Sequence, residues 1–234
     1  MMILPSELIP KRSEAPDQLD HLLKRSVDVV SSIAGMVLLA PIFVVLVVLM
    51  KLDSRGPIFY AQERIGLNRR RPRNGGPAMG EERRRADSFG QPFTIYKLRS
   101  MVVDAERHTG PVWAAAKDSR ITRVGRFLRK TRLDETPQLW NVLRGEMSLV
   151  GPRPERPAFV NTLAESLPEY PMRYDARPGI TGLAQVKSKY DSSIETVNRK
   201  LRYDLYYVRH GRLLLDLKIM AATVKVVARG EGAH

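Results

Sequence analysis

An uncharged apolar run of 22 residues, VVSSIAGMVLLAPIFVVLVVLM at 29–50, limits the folds open to this chain. As one straight helix it would be about 33 Å long, close to the thickness of a bilayer's hydrocarbon core. A globular helix of this length normally keeps a polar face, which this run lacks. The run also starts too late and is too long for a cleaved signal peptide. The sequence therefore predicts a helix embedded in a membrane.

Pro41 lies in the middle of this run, and basic residues flank both of its ends. Because proline lacks an N–H and its ring clashes with the carbonyl of Val37, we expect a kink or a break there. A spanning helix would leave basic residues on both sides of the membrane. A helix that turns at Pro41 and leaves by the same face keeps both flanks on the anionic, cytoplasmic side. The pattern favours this re-entrant form. The flanking residues are Lys24, Arg25, Lys51 and Arg55.

The charge balance indicates an anionic partner. Lys and Arg outnumber Asp and Glu by 39 to 25, which gives a net charge of +14. Nucleic acid, anionic membrane lipids and phosphorylated substrates all fit such an excess. The chain has no Cys, which excludes disulfides, thiol nucleophiles and zinc–thiolate sites, and its 4 His residues show no metal-ligand spacing. Composition leaves the three classes of anionic partner open.

The pattern of residues predicts four segments: a polar lead-in (1–21), a membrane helix broken at Pro41 (22–52), a compact domain (53–231) and a tail (232–234). Within the domain, the arginine-rich segment at about 68–88 is typical of a solvated surface loop, with a phosphate-binding or membrane-hugging arm as the alternative. Periodicity elsewhere predicts a mostly helical domain with little strand. The expected elements are a strand at 92–101, helices at 118–135 and 137–148, and a helical tail made of 191–208 and 213–230.

Asp134 and Glu135 are adjacent acids placed just before the helix expected at 137–148. Asp134 could be its N-cap, a role worth about 1 kcal/mol, and Glu135 a first-turn acid favoured by the helix dipole. Yet Arg129 lies upstream and Arg153 stands between two prolines downstream, so the acids also fit a site for phosphate and a divalent cation. A carboxylate can attack phosphorus directly. From the residues alone, capping and catalysis both stay open.

Six stretches, in order across residues 22–231, resemble sequences of the bacterial sugar transferase family. The members of this family are monotopic polyprenol-phosphate phosphoglycosyl transferases. They are KRSVDVV (24–30) with the proline-containing apolar run, GPIFYAQERIG, PFTIYKLRSM, DSRITRVGRFLRKTRLDETPQLWNVLRGEMSLVGPRP, RPGITGLAQV, and YDLYYVRH with LDLKIM. The part from LDE to VGPRP is long and specific. The resemblance implies an α/β fold, mostly α, with a re-entrant membrane helix hairpin, a compact cytoplasmic catalytic domain, amphipathic interfacial helices and a small sheet.

The resemblance also implies a ping-pong reaction at the cytoplasmic face of the bacterial inner membrane. Asp134 would attack the β-phosphate of a UDP-sugar and release UMP. The phosphosugar-aspartyl enzyme would then pass the sugar phosphate to polyprenol phosphate, typically undecaprenyl phosphate. Such transfer begins the synthesis of exopolysaccharide, capsule, O-antigen or glycoprotein glycans. Anionic membrane lipids are expected partners, nucleic acid is not, and a homo-oligomer is compatible with the sequence.

The resemblance assigns roles to individual residues. Mg²⁺ would bind at Asp134, and Glu135 would orient the site or handle the acceptor's proton. The residues expected to bind substrate phosphate are Lys97, Arg129, Arg153 and Arg177.

Two features depart from the family's pattern. Ala40 stands where the family often has serine before the proline, and the arginine-rich segment stands where relatives have a short turn. Two alternatives to the enzyme are a membrane-tethered nucleic-acid-binding protein and a noncatalytic scaffold. The net charge favours the first, although the sequence has no helix-turn-helix, zinc-finger or RNP pattern.

Overall fold

The computed structural model describes residues 18–68, 89–107, 110, 118–188 and 194–229. Most of the predicted polar lead-in, nearly all of the arginine-rich segment and the predicted tail lie outside the described residues. The described part is mostly helical, as expected. In chain order its elements are α1 (Gln18–Asp53), β1 (Phe59–Ile65), β2 (Pro92–Leu98), α2 (Arg123–Thr131), a first 3₁₀ turn (Leu133–Glu135), α3 (Gln138–Leu143), β3 (Ser148–Val150), α4 (Pro157–Ser166), a second 3₁₀ turn (Tyr170–Asp175), β4 (Gly179–Thr181), α5 (Leu183–Lys187), α6 (Ile194–His210) and α7 (Leu213–Ala228).

α1 is a single helix of 36 residues with Pro41 inside it. The helical backbone continues through Pro41 without an interruption, and the kink expected there stays a prediction. A proline removes one N–H from the ladder of hydrogen bonds, and the long helical segments on both sides keep theirs. By length and composition α1 could cross a membrane. Its apolar surface is largely uncovered, with Leu38 73% and Leu52 80% exposed. The re-entrant topology stays a prediction.

Both halves of α1 contact the folded domain. In the first half, Lys24 Nζ lies 2.5 Å from Asp216 Oδ2 on α7. Asp28 Oδ1 in the same half accepts a hydrogen bond of 2.9 Å from the N–H of Leu149 on β3. In the second half, α1 enters an apolar cluster whose buried members are Leu46, Met50, Leu98 and Leu128. The helix is therefore attached to one domain on either side of Pro41.

Two small sheets support the domain. β1 and β2 pair antiparallel with Tyr60 opposite Lys97, and β3 and β4 pair parallel with Ser148 opposite Gly179. The first pair brings Lys97 to the edge of the site described below. Residues from α4, α6 and the second 3₁₀ turn form a separate apolar cluster of Val160, Leu163, Tyr170, Tyr174, Val197, Leu201 and Leu205.

Two predicted helices are shorter than expected. α2 begins after Thr122, whose Oγ1 accepts the Gly125 N–H at 2.9 Å, and it ends at Arg132, which has a left-handed φ of 59°. α3 covers only part of 137–148, because Gly145 turns the chain with a φ of 76° and β3 follows. The predicted strand at 92–101 likewise ends at Leu98, and the predicted helical tail corresponds to α6 and α7.

Candidate active site

Asp134 and Glu135 lie in the 3₁₀ turn that follows α2. The alternative that Asp134 caps the following helix is wrong, because α3 starts at Gln138 and its N-cap position is Pro137, which makes no side-chain cap. The left-handed residue Arg132 ends α2 and begins the turn at once. Both acids are therefore presented by the turn itself, too early in the chain to cap α3.

Asp134 is a buried carboxylate with one oxygen unused. Its exposure is 7%, and its Oδ1 is itself buried and has no hydrogen-bond partner among the residues that the structure describes. Burial, and after it the charge of Glu135, raise the pKa of Asp134 to about 6, while Lys97 and Arg129 oppose the shift. The carboxylate therefore has one oxygen without a hydrogen-bond partner, is more basic than an ordinary aspartate, and is still largely ionised at neutral pH.

Glu135 is paired with two cations. Lys97 Nζ donates to Glu135 Oε1 at 3.1 Å, and the terminal nitrogens of Arg153 donate to Oε1 at 2.6 Å and to Oε2 at 3.4 Å. Burial alone would raise the pKa of Glu135, but Arg153 and Lys97 outweigh burial and hold that pKa well below its usual range. Burial lowers the pKa of Lys97, and Glu135 opposes that shift. Glu135 is thus held as a paired anion.

Arg129 projects from α2 toward the two acids. Its Nε donates to Ser100 Oγ at 3.0 Å, and one terminal nitrogen is buried without a partner in the described part of the chain. Burial lowers the pKa of Arg129, with the charge of Asp134 opposing that shift. A guanidinium with a buried, open donor suits an anion with several oxygens. Three other basic residues of α2 are exposed, namely Arg123, Arg126 and Lys130.

Two arginines that sequence reasoning did not assign to the site, the buried Arg173 and the half-buried Arg64, hold the backbone at Arg153. Arg173 donates to the Arg153 carbonyl at 2.8 Å, and Arg64 donates to the Pro154 carbonyl at 3.1 Å. Arg173 is itself paired with Asp204 Oδ2 at 2.7 Å. Arg64 belongs to the QERIG stretch, where its charge alone indicated a role in the site. Nothing in the sequence indicated such a role for Arg173. These contacts fix the loop that aims Arg153 at Glu135.

The site opens into one cleft with a volume of about 1060 Å³. Among the described residues, 12 Lys or Arg and 6 Asp or Glu line it, so its wall is strongly basic. Ligand sites commonly have volumes of about 300–1,000 Å³. The cleft is therefore large enough for a substantial anionic ligand beside Asp134.

The structure brings together five of the six residues predicted for the site. Asp134, Glu135, Lys97, Arg129 and Arg153 all line the cleft. Arg177 does not line it: its side chain is exposed just before β4.

The residues present fit a magnesium ion that is shared with substrate. No group of three His, Cys, Asp or Glu side chains in the described part of the chain could enclose a metal. Mg²⁺, however, is usually held by one or two carboxylates together with water and substrate phosphates. The unpartnered Oδ1 of Asp134 meets that requirement.

The chain matches a family model and is similar to several known proteins. Residues 19–74 and 70–230 match the family model described as bacterial sugar transferase. The chain is 36% identical over 219 residues to the UDP-N-acetylgalactosamine-undecaprenyl-phosphate N-acetylgalactosaminephosphotransferase of Aeromonas hydrophila, covering 94% of this chain and 47% of that protein. It is 39% identical over 217 residues to the UDP-glucose:undecaprenyl-phosphate glucose-1-phosphate transferase of Caulobacter vibrioides, covering 91% of this chain and 72% of that protein.

A third relative has nearly the same extent as this chain. The exopolysaccharide production protein PSS of Rhizobium leguminosarum bv. phaseoli is 36% identical over 220 residues, covering 92% of this chain and 100% of that protein. The chain thus spans about half the length of the Aeromonas relative and matches the full length of the Rhizobium one.

Proposed function

The chain belongs to the bacterial sugar transferase family, and from that premise we propose that it transfers a sugar 1-phosphate from a UDP-sugar to undecaprenyl phosphate. The names of the Aeromonas and Caulobacter relatives contain both substrates. The observation that carries the proposal is Asp134, a buried carboxylate that lines a basic cleft and has one oxygen without a hydrogen-bond partner. The product enters polysaccharide synthesis.

In the first half-reaction, Asp134 attacks the β-phosphorus of the UDP-sugar. A bond forms between the carboxylate oxygen and phosphorus, the bond to the α-phosphate oxygen breaks, and UMP leaves with that electron pair. Asp134 suits this role better than Glu135, because both oxygens of Glu135 already accept from Arg153, whereas Oδ1 of Asp134 is unpartnered. Its raised pKa adds basicity, which favours attack on phosphorus.

The cations around Asp134 counter the repulsion between a carboxylate and a diphosphate. Arg129 lines the cleft with an unpartnered donor, and Arg153 keeps 40% of its side chain exposed beside Glu135, so both suit a phosphate in the cleft. Lys97 also pairs with the carboxylate of Glu135. Donors that are already fixed by Ser100 and Glu135 need little rearrangement as charge develops on the phosphoryl oxygens.

In the second half-reaction, a phosphate oxygen of undecaprenyl phosphate attacks the phosphorus of the phosphosugar-aspartyl enzyme. The carboxylate of Asp134 leaves, and the product is a lipid diphosphate that carries the sugar. A phosphate monoester has its second pKa near 6, so the acceptor is largely dianionic at neutral pH and needs no general base. We therefore assign Glu135 the orienting role and not the proton-handling one. Its pKa, held low by Arg153 and Lys97, agrees with that assignment.

Magnesium belongs to the same proposal. Asp134 would hold the magnesium ion together with the phosphates of the substrate, since its Oδ1 has no hydrogen-bond partner among the described residues. When bound, the ion offsets the negative charge of the diphosphate next to the carboxylate.

The re-entrant membrane topology is supported by the way α1 docks. Lys24 contacts α7, and Leu46 lies in the apolar cluster with Leu128 of α2. A helix with its two ends on opposite sides of a bilayer could not bind one water-exposed domain on either side of Pro41. We therefore place the domain on the cytoplasmic face of the inner membrane, with α1 entering and leaving by that face. The exposed basic face of α2, which also carries Phe127 at 53% exposure, suits an interfacial position against anionic lipids.

The proposal is tested with the purified full chain, a panel of UDP-sugars and undecaprenyl phosphate. Without acceptor, one of the donors should give a UMP burst that does not exceed one equivalent of the protein. With acceptor, the same donor should give continuous UMP release. No UMP release from any donor in the presence of Mg²⁺ and acceptor would overturn the proposal. Absence of salt-dependent binding to random DNA would in turn eliminate the nucleic-acid alternative.

A further inference from the structure

The cleft has a second part with a different chemistry. Three of its lining side chains, which we call the apolar rim, are Phe59, Val102 and Val103, and they are 48%, 47% and 51% exposed. They share one cleft with Asp134, whose surroundings are basic and buried. Large hydrocarbon groups left exposed together mark a place where apolar matter binds.

The apolar rim is continuous with the membrane helix. The ring of Phe59 stacks on Phe43 of α1 with 5.8 Å between the ring centroids. Val103 packs on the loop that follows α1, since a Cβ added at Gly56 would lie 2.6 Å from its Cγ2. Lys51, near the end of α1, donates to the Gly56 carbonyl at 2.9 Å. Apolar matter that leaves the cleft at the rim would therefore reach the exposed surface of α1.

The rim and the catalytic pair line the same cleft. In the register of the first sheet, Phe59 is opposite Leu98, and the next pair is Tyr60 with Lys97. Because successive residues of a strand point to opposite faces, Phe59 and Lys97 lie on opposite faces of the sheet, and both line the cleft. Lys97 in turn donates to Glu135. Since the cleft includes both groups, a single ligand can place a phosphate beside Asp134 and an attached chain on the rim.

We propose that the apolar rim holds the isoprenoid chain of the acceptor at the point where the chain passes from the phosphate site to the bilayer. This inference rests on the proposed function, because a lipid phosphate needs a basic site and an apolar exit in one cleft. The donor is polar along its whole length and has no group to cover three exposed hydrocarbon side chains. The rim therefore serves the second half-reaction and not the first.

The test compares the two half-reactions in the detergent-solubilised full chain. The double variant V102N/V103N removes the apolar surface, and V224N is the matched control, because Val224 is 70% exposed on α7 and does not line the cleft. In the double variant, kcat/KM for undecaprenyl phosphate should fall about tenfold, as expected for the loss of two valine contacts. Its donor-only UMP burst should stay within about twofold of wild type. V224N should leave both measurements within the same twofold range.

Three results would overturn the inference: an unchanged kcat/KM for the acceptor in V102N/V103N, a UMP burst that falls together with it, or an equal fall in V224N. Failure of the proposed function looks different, because the wild-type protein would then give no UMP burst with any donor.

Discussion

Arg153 donates from both terminal nitrogens to Glu135, at 2.6 and 3.4 Å, and so occupies the acid next to Asp134. The two neighbouring carboxylates consequently have opposite properties. The pKa of Glu135 is held low by Arg153 and Lys97, whereas burial and Glu135 itself raise the pKa of Asp134 to about 6. Environments that move two acids apart in this way assign them different roles. Glu135 pairs with Arg153 and Lys97, and Asp134 remains available to react.

The pH dependence of the donor half-reaction should report Asp134. Because only the ionised carboxylate attacks phosphorus, the UMP burst rate should fall as pH drops through about 6, the raised pKa of this residue. In E135Q this acidic limb should move to lower pH, since the charge of Glu135 is one cause of the raised pKa. Stopped-flow measurement of UMP release between pH 4.5 and 8 follows the acidic limb of the wild type and that of E135Q. E165Q, a change at an exposed acid on α4, is the control. A limb that stays in place in E135Q would contradict this account.

D134N should stabilise the fold while it abolishes activity. The carboxylate has a pKa of about 6 in the folded protein against 3.8 as its ordinary value, so the native state binds the proton more tightly and loses stability as pH rises between them. Above pH 6 the full effect is up to about 3 kcal/mol. Thermal unfolding should give a higher Tm for D134N at pH 7.5, with the gain shrinking toward pH 4. A Tm equal to or below that of wild type at pH 7.5 would refute this prediction.

Arg173→Ala should destabilise the protein more than an ordinary polar truncation does. The change leaves Asp204, which is 3% exposed, without the guanidinium that lies 2.7 Å away. Breaking a buried ion pair from one side costs about 3–5 kcal/mol. Urea unfolding measures the loss, and adding D204N should recover part of it by removing the buried charge that Arg173 no longer pairs. The ion pair would have no such importance if R173A alone cost under about 1 kcal/mol.

Single cysteines can test the membrane topology, because the chain has none of its own. Ser13→Cys and Ser54→Cys lie on either side of the apolar run. In inverted and right-side-out vesicles, both should react with a membrane-impermeant maleimide from the cytoplasmic side only. Reaction from opposite sides would mean that α1 spans the bilayer.

The motifs located the site well because its members come from local stretches with distinctive residues. Lys97, Arg129 and Arg153 were identified from the stretches around them, and all three line the cleft with the acid pair. The division of labour within the acid pair was not visible, however. It depends on Arg153 reaching back to Glu135 across 18 residues, a tertiary contact that no local pattern encodes.

The errors in the fold also come from contacts that lie far apart in the chain. The helix expected to run to 148 stops early because Ser148 pairs with Gly179 in the second sheet, and periodicity cannot detect that pairing. An N-cap role for Asp134 was left open because the acids stand just before the helix expected at 137–148. The left-handed conformation of Arg132, which glycine and asparagine more commonly take, places both acids in a separate turn. Arg173 was missed because a buried arginine cannot be distinguished from a surface one without knowing its partner, Asp204.

The most direct test is the covalent state of the protein after incubation with its UDP-sugar in the absence of acceptor. Intact-protein mass spectrometry should show wild type gaining the mass of one sugar phosphate, and peptide mapping should place it on Asp134. The adduct should disappear when undecaprenyl phosphate is added. D134N should gain nothing, while E135Q, which keeps the open carboxylate, should still form the adduct more slowly. An adduct on D134N, or full turnover by that variant, would contradict the account.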